Sequence, residues 1–414
     1  MRPVYEIATA CRICDSAELS EVLDLGSQPP ANCLRRLDEP EPEAVPLDLR
    51  RCIDCETAQI TATIDPEVLF GTYLWVTGTS VEAREYSTTF VDRIEKVPGL
   101  TADRVGPPRS VVEIASNDGT FLRRFAERGW SVLGVEPATN IAEAAVADGV
   151  PTVSEFFDAD VARSILESRG PADVVVARNV VPHVANVHAV VEGLAVAAGD
   201  DGIVVVEAHD AQVILDELHY DSIYHEHLSY FSLDTLCALF RRHGLTAFDH
   251  YPSPISGGSN VVFFAGGHRF PTERLQVARE RSDGVVTAAA WSAFAEAATA
   301  HASSLREAVI EAGSKGRVVG YGASARSSTM LNFAEISSDE VAFVVDQNPL
   351  KHGRLTAGTK IPIISPDHGL ADLGSADSVL LLAWNFRDEI MGRLRGAGFD
   401  GSVILPLPGE VRVL

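Results

Sequence analysis

The sequence predicts an α/β protein built in three parts: a small cysteine-rich module, a large doubly wound domain and a second, smaller α/β domain. Three observations predict it. Four of the six cysteines fall in the first 55 residues as two C-x-x-C pairs. From about Val111, short apolar runs alternate with alanine-rich helical patterns. After one long helical stretch the same alternation resumes at Gly316 and runs to the end. A chain of 414 residues has room for two to four domains at about 100–200 residues each.

The first part rests on Cys11-x-x-Cys14 and Cys52-x-x-Cys55. Two such knuckles supply four thiolates in the tetrahedral set that zinc prefers. A closed four-cysteine site leaves no position for water, so its metal would hold the fold and do no chemistry. The 37 residues between the pairs are many for a compact ribbon, so a redox dithiol or unrelated buried cysteines stay open. Cys33 and Cys237 lack such partners and read as ordinary buried cysteines.

In the second part, SVVEIAS, WSVLGVEP, ADVVVARN and GIVVVEAH are apolar runs that end in polar residues. TFLRRFAERG and NIAEAAVADG between them have helical periodicity. This β-α-β alternation marks a parallel sheet covered on both faces. LTAFDHYP and SNVVFFAG, flanking SPISGG, read as an antiparallel hairpin. The first strand runs into Glu113-Ile-Ala-Ser-Asn-Asp-Gly119, a tight turn that opens a helix and exposes backbone N–H groups. Ser116, Asn117 and Gly119 are its candidate ligand contacts. The dinucleotide fingerprint G-x-G-x-x-G is absent. Glu136 ends the second strand about 20 residues on, where an acid binds ribose hydroxyls. A loop of acids and amides with a ribose acid suits a ligand without phosphates, such as S-adenosylmethionine. Asn179 and His183 follow the fourth strand and would line the same crevice. A solvated strand end for Glu136 and a plain helix-terminus role for His183 stay open.

In the third part, about Pro271 to Ala312 reads as one long connecting helix. GRVVGYGAS, a helix through Leu331, VAFVVDQN, DSVLLLAWN and GSVILPLP follow. Gly320-Tyr-Gly-Ala-Ser-Ala-Arg326 is close to the dinucleotide pattern, with Ala325 at the third glycine. Taken alone it suggests an NAD(P)-dependent oxidoreductase, with Asp346 as the ribose acid. Arg326, Lys351 and Arg354 are local positive charges that suit a pyrophosphate or simply face solvent.

Composition excludes some partners. A formal charge of −24 repels phosphate backbones and anionic lipid, so nucleic acid and membrane are not expected. The start, MRPVYEIATACRICDS, has no apolar leader, and no apolar run approaches the roughly 20 residues of a membrane span. A cytoplasmic location is expected, where cysteines stay reduced. Monomer and homodimer both remain open.

Together these segments resemble the sugar C-methyltransferases of deoxysugar biosynthesis, found in antibiotic and surface-polysaccharide pathways. The resemblance covers the whole chain. The cysteine pairs and LDLGSQPPANCL resemble that family's zinc domain. EIASNDGTFL and GVEPATNIAEAA resemble its S-adenosylmethionine loop and ribose strand. DSIYHEHLSYFS resembles its catalytic segment, and GYGASARSSTMLNF with VVDQNPLKHGR its C-terminal domain. The resemblance implies a zinc domain over 1–70, a Rossmann-like class I methyltransferase domain over 71–267, and a Rossmann-like sugar-nucleotide-binding domain over 268–414. It implies a nucleotide-linked 4-keto deoxysugar, methylated at carbon 3 after a base removes the proton beside the ketone. His227 aligns with that base, next to Tyr224 and Glu226. Tyr73 and Ser80 lie in the segment Tyr73-Leu-Trp-Val-Thr-Gly-Thr-Ser80, expected to close over cofactor and sugar. Trp75 and Thr77 there replace a tyrosine and a serine of the family pattern, which puts the sugar's substituents in question. Trp75, His225, Ser259, Tyr321, Arg326, Lys351 and Arg354 are the implied substrate contacts.

The chemistry places demands on these residues. Imidazole, with an ordinary pKa of about 6.5, is a mild base for a carbon acid. The enolate oxygen needs donors, each worth about 3 kcal/mol where such donors have been removed. Tyr224, Tyr73 and backbone groups are candidates. Glu226 is expected to orient or charge-tune a histidine, as acids do in hydrolytic triads. Three other readings of the YHEH segment stay open: a metal held by His225, Glu226 and His227, buried histidines without a catalytic role, and His225 as the base. A non-catalytic zinc scaffold that binds a sugar nucleotide is the remaining alternative.

Overall fold

A computed structural model describes residues 4–71, 73, 75–98, 100, 107–267, 269–372 and 376–414. In the first module, β1 (Tyr5–Ile7), β2 (Leu19–Gln28), β3 (Val45–Cys52), β4 (Ala58–Ile60) and β5 (Ala62–Ile64) pair antiparallel. Val45, Leu47 and Leu49 are wholly buried, while the residues between them are half-buried. That period of two turns one face of β3 to the core. Helices α1 (Pro66–Phe70) and α2 (Val81–Glu95) lead onward.

The second part alternates as expected: β6 (Ser110–Ile114), α3 (Thr120–Ala126), β7 (Ser131–Val135), α4 (Thr139–Ala147), β8 (Thr152–Val153), α5 (Ala159–Arg169), β9 (Val174–Arg178), α6 (Val187–Ala198) and β10 (Ile203–His209). Then come α7 (Ala211–Asp216), β11 (Ser229–Tyr230), α8 (Leu233–Arg241) and the hairpin β12 (Thr246–Ser253) and β13 (Ser259–Ala265). The sheet order is β12-β13-β10-β9-β6-β7-β8. Strands β6 to β10 are parallel, and β13 inserts antiparallel beside β10. This is the Rossmann-like, doubly wound arrangement that the sequence predicts, with an antiparallel hairpin at one edge. Both faces are dry. Ile203, Val205, Val261 and Phe263 pack on one side with Phe90 and Phe121. Val204, Val206, Val262 and Phe264 pack on the other with Leu194 and Phe240. Such largely apolar strands are what a sheet covered on both faces requires, and the charges they do carry meet one another, Arg178 lying 2.8 Å from Glu113 and 3.6 Å from Glu207. The order reverses at β6, whose neighbours are β7 and β9, and ligands bind at such a point beyond the strand carboxyl ends.

Strand β11 does not join that sheet. It pairs with β4 of the first module, Ser229 opposite Gln59 and Tyr230 opposite Ala58. The segment just before it, Tyr224–His227, is thereby stitched to the zinc module.

The third part opens with two helices, α9 (Glu273–Ser282) and α10 (Ala288–Lys315), where one was expected. The break falls at Gly284, which adopts a left-handed φ of 67°, and the Thr287 side chain caps α10. Next come β14 (Val318–Tyr321), α11 (Ala325–Phe333), β15 (Val344–Val345), β16 (Ile363–Ile364), α12 (Pro366–Asp372), β17 (Ser378–Leu381), α13 (Arg387–Gly396), β18 (Ser402–Leu405) and β19 (Arg412–Val413). The sheet order is β16-β15-β14-β17-β18-β19, parallel except at β19. One apolar cluster joins all three parts, from Leu23 and Leu47 through Tyr220 and Ile223 to Leu305, Met330 and Leu380. No helix among the described residues is long and apolar enough to cross a membrane.

Candidate active site and zinc centre

The two cysteine knuckles are built alike. Asp15 and Glu56, each directly after a pair, take left-handed φ values of 60° and 65°. Their N–H groups donate to the carbonyls of Cys11 and Cys52. The Ile13 and Cys55 amides point at the sulfurs of Cys11 and Cys52, at 3.4 and 3.5 Å. Sulfur separations are 3.5 Å for Cys11–Cys55 and for Cys14–Cys52, and all four sulfurs lie within 4.8 Å of one another. Zinc–sulfur bonds of about 2.3 Å put tetrahedral sulfurs about 3.8 Å apart, so the four residues fit zinc. Arg12, between the first two cysteines, ties the knuckle to the Ile60 carbonyl at 2.6 Å and to Thr63 Oγ1 at 2.7 Å.

The crevice at β6 brings several of the expected cofactor contacts together. Ala115, Asn117 and Gly119 take positive φ, which folds the turn tightly at the strand end. Glu136 is buried and accepts from the Asn117 amide at 2.8 Å and the Ala138 amide at 3.0 Å. Burial pushes its pKa up, and the two N–H donors oppose that. Ser116 Oγ is buried with no hydrogen-bond partner among the described residues. Gly134 faces it, where a Cβ would collide with that hydroxyl. An orphaned hydroxyl and a buried carboxylate at this switch point fit a ligand with polar atoms, as S-adenosylmethionine has. Asn179 lies across the crevice at the end of β9, its amide on the Glu207 carbonyl at 2.7 Å.

The segment 75–78 covers the loop. The Asn117 side chain accepts from the Thr77 amide at 2.8 Å and donates to the Trp75 carbonyl at 3.1 Å. Asp118 accepts from the Gly78 amide at 3.0 Å. Ser80 is committed elsewhere, since its hydroxyl caps α2 by accepting from the Ala83 amide.

Tyr224–His227 lies beside this crevice, held by two backbone bonds of Leu228, one with Ile60 and one with Pro182. His227 Nδ1 is 2.8 Å from the Ser222 carbonyl oxygen. A carbonyl only accepts, so Nδ1 carries the proton. Nε2, 2.8 Å from Tyr224 Oη, holds the lone pair and accepts from that hydroxyl. Burial keeps His227 well below the usual imidazole range, and neighbouring His183 adds to the effect. The two rings meet edge to face at 4.6 Å, and burial pushes His183 down to about 4. His183, expected on the cofactor, therefore stands with the Tyr224–His227 cluster, and its Nδ1 is buried without a partner among the described residues.

Glu226 corrects an expectation. It does not orient His227, because the Ser222 carbonyl does. One Glu226 oxygen accepts from Asn32 Nδ2 at 2.5 Å and the other from Tyr73 Oη at 3.0 Å. Burial pushes the carboxyl up to about 7 against those two donors. Burial and the nearby Glu226 charge push the Tyr73 phenol well above its usual value. Asn32, from the first module, and the Ser222 carbonyl were missed. Asn32 sits in LDLGSQPPANCL, and that stretch was the available signal.

Several expected substrate contacts are engaged elsewhere. His225 is buried with Nε2 on the Val45 carbonyl at 3.1 Å, and among the described residues the four cysteines are the one group placed to hold a metal ion, so the expected metal site at His225, Glu226 and His227 is not formed. Arg326 places Nε and Nη2 on Asp221 at 3.0 and 2.8 Å and Nη1 on the Ser256 carbonyl at 2.8 Å. Lys351 is buried, with Nζ on the Ala323 carbonyl at 2.7 Å and 3.4 Å from Asp346. Asp346 itself accepts from the Ala323 amide at 2.7 Å. The glycine loop is thus closed by the chain's own charges. Tyr321 is buried in the core. Ser259 donates to the Ile255 carbonyl, and Arg354 to the Leu34 carbonyl. Trp75 is exposed at the rim.

Comparison with known proteins agrees with this layout. Family models match a zinc binding domain over residues 11–70, a methyltransferase domain over 85–250 and a C-methyltransferase C-terminal domain over 254–408. C-methyltransferase NovU of Streptomyces niveus is 34% identical over 422 residues, spanning 100% of this chain and 98% of that protein. Among solved structures, magnesium protoporphyrin IX methyltransferase of Synechocystis PCC 6803 with bound S-adenosylmethionine is 12% identical. It covers 45% of this chain and 81% of its own, at a TM-score of 0.34. The PH0226 protein of Pyrococcus horikoshii OT3 is 14% identical, covering 48% and 97%, at a TM-score of 0.36. Likeness at that level decides nothing about chemistry. The full-length relationship does: the chain belongs to the C-methyltransferase family, and it is an S-adenosylmethionine-dependent enzyme with a structural zinc.

Proposed function

We propose that the enzyme methylates a nucleotide-linked 4-keto deoxysugar, at carbon 3, through an enolate. The observation that carries this reading is the state of His227. It is a half-buried imidazole that desolvation holds below its usual pKa range, with its proton on Nδ1 toward the Ser222 carbonyl, so Nε2 offers a lone pair. Such a group takes a proton from the carbon beside a ketone, and the C–H electron pair passes into the enolate. When bound, S-adenosylmethionine supplies a sulfonium-activated methyl group, which the enolate carbon takes as S-adenosylhomocysteine leaves. His227 keeps the abstracted proton until solvent removes it.

In the free enzyme the Nε2 lone pair is engaged by the Tyr224 hydroxyl. When a substrate C–H takes that place, the hydroxyl is released to donate to the growing enolate oxygen. A donor of that kind is worth about 3 kcal/mol in oxyanion sites. Tyr73 gives its single hydroxyl proton to Glu226 in the free enzyme, so it becomes a second donor to the enolate only when that bond is exchanged as well. Holding the enolate carbon near an activated methyl supplies the rest. The sugar class rests on the resemblance of the DSIYHEHLSYFS segment, with Trp75 at the rim as a specificity residue.

Incubation with methyl-13C-labelled S-adenosylmethionine and a panel of nucleotide-linked 4-keto-6-deoxyhexoses tests this. The expected product carries a carbon-bound methyl beside the ketone. Label on oxygen or nitrogen, or no transfer to any keto sugar, would reject the proposal.

A further inference from the structure

We infer that the C-terminal domain fixes the tautomer and orientation of His227 by gripping the Tyr220–Ile223 turn. Arg326, Trp384 and Thr329 then act as positioning residues for methyl transfer. The inference rests on His227 being the base.

Four consecutive residues carry it. Tyr220 Oη is 3.1 Å from Nδ1 of His301 on α10, whose Nε2 donates to the Pro406 carbonyl at 2.7 Å. Asp221 is wholly buried, and its carboxylate accepts from Arg326 Nε and Nη2 and from Trp384 Nε1 at 2.8 Å. The Ile223 carbonyl accepts from Thr329 Oγ1 at 2.9 Å. Ser222 alone faces the other way, its carbonyl accepting the His227 proton. Both chain neighbours of that carbonyl are therefore anchored by α11 and the turn at Trp384.

A two-pronged arginine–carboxylate pair fixes direction as well as distance. The Arg326 guanidinium also lies 4.7 Å from the centre of the Trp384 ring, and each of its three nitrogens has a partner within the chain. Its geometry is that of a clamp between domains, not of a ligand for a diphosphate. With the clamp set, the proton stays on Nδ1 and the lone pair faces Tyr224. With the turn loosened, the proton is free to move to Nε2, and that face has no lone pair with which to accept.

Two mild variants test the inference in the full-length, zinc-loaded protein. Trp384→Phe removes one donor to Asp221 and keeps an aromatic ring. Thr329→Val removes the donor to Ile223 at similar volume, and serves if the first variant fails to fold. The first readout is 15N NMR of histidine-labelled protein, with the His227 signals identified by their loss in His227→Asn. Wild-type protein is expected to show a pyridine-like Nε2 and a pyrrole-like Nδ1, and each variant a share of the opposite tautomer. The second readout is turnover of a nucleotide-linked 4-keto-6-deoxyhexose. There kcat is expected to fall about fivefold, as for one lost hydrogen bond, with KM changed less than about twofold. Arg326→Lys, which keeps the charge and loses the fork, should behave likewise. Unchanged His227 nitrogen shifts in both variants overturn the inference, whatever the activity. A raised KM at constant kcat also overturns it, and returns Arg326 to substrate binding. A shifted tautomer with unchanged turnover supports the grip and removes His227 from its role as base.

Discussion

The loop after β6 and the loop after β14 are built on one plan. Each follows a parallel strand, opens a helix and faces an acid at the end of the next strand. Glu136 accepts from the amides of Asn117 and Ala138. Asp346 accepts from the amides of Ala323 and Asn348. The difference is a cation. Lys351 is buried against Asp346 and the Ala323 carbonyl and fills the second loop. Among the described residues no buried cation fills the first, where Arg123 reaches Asp118 only from its half-exposed position and Ser116 Oγ is left without a partner. The loop with more glycines is thus the closed one. A glycine pattern reports that the backbone turns tightly, and the charges around it decide whether a ligand enters.

The comparison is broken most strongly at Asp346. Asp346→Ala should leave Lys351 buried and unpaired, at a cost of about 3–5 kcal/mol in urea unfolding. S-adenosylmethionine affinity of the protein that stays folded should not change. A weakened cofactor with intact stability would show that the second loop binds ligand after all.

Glu226 sharpens the comparison as a buried carboxylate with neutral donors only. Its pKa is raised to about 7, so the unfolded chain ionises it first as pH rises. Its contribution to stability is full below the ordinary value of about 4.5 and is lost as pH climbs through 7, about 3 kcal/mol in all. Glu226→Gln should lose that slope between pH 5 and 8 in urea unfolding. An unchanged slope would mean that the carboxyl ionises normally.

Ligand-induced stabilisation separates the two loops directly. S-adenosylmethionine at about a hundred times its Kd should stabilise the protein by about 2.7 kcal/mol. NAD or NADP should not raise the melting temperature, and a rise would reopen the oxidoreductase reading. The smallest effect is expected for Glu136→Ala, which should weaken S-adenosylmethionine about ten- to a hundredfold through lost charged hydrogen bonds. Calorimetry with unchanged affinity would take Glu136 out of the ribose site.

Much of this was legible in the sequence because local pattern and tertiary role coincide. The cysteine knuckles, the parallel strands and the Glu136 position each follow from spacing or periodicity. The single helix expected over 271–312 failed at Gly284, where one left-handed residue outweighs the alanine-rich run around it. The site was legible only in part. Tyr224, Glu226 and His227 are adjacent in the chain, but their partners are not. Asn32 is 194 residues from Glu226, and Tyr73 is 153. Ser222 acts through a backbone carbonyl, which no residue type announces. Arg326 and Lys351 stood out as cations in an acidic chain, and the acids that pair with them, Asp221 and Asp346, reveal themselves only in three dimensions.

The central claim is that His227 removes a carbon-bound proton, and proton exchange tests it apart from methyl transfer. The enzyme is incubated in D2O with S-adenosylhomocysteine and a nucleotide-linked 4-keto-6-deoxyhexose, and deuterium at the carbon beside the ketone is followed by NMR. Wild-type enzyme is expected to catalyse the exchange. His227→Asn should lose it by about 10²–10⁴-fold, the usual worth of a general base, while binding S-adenosylmethionine as before. Exchange at the wild-type rate in His227→Asn would contradict the account.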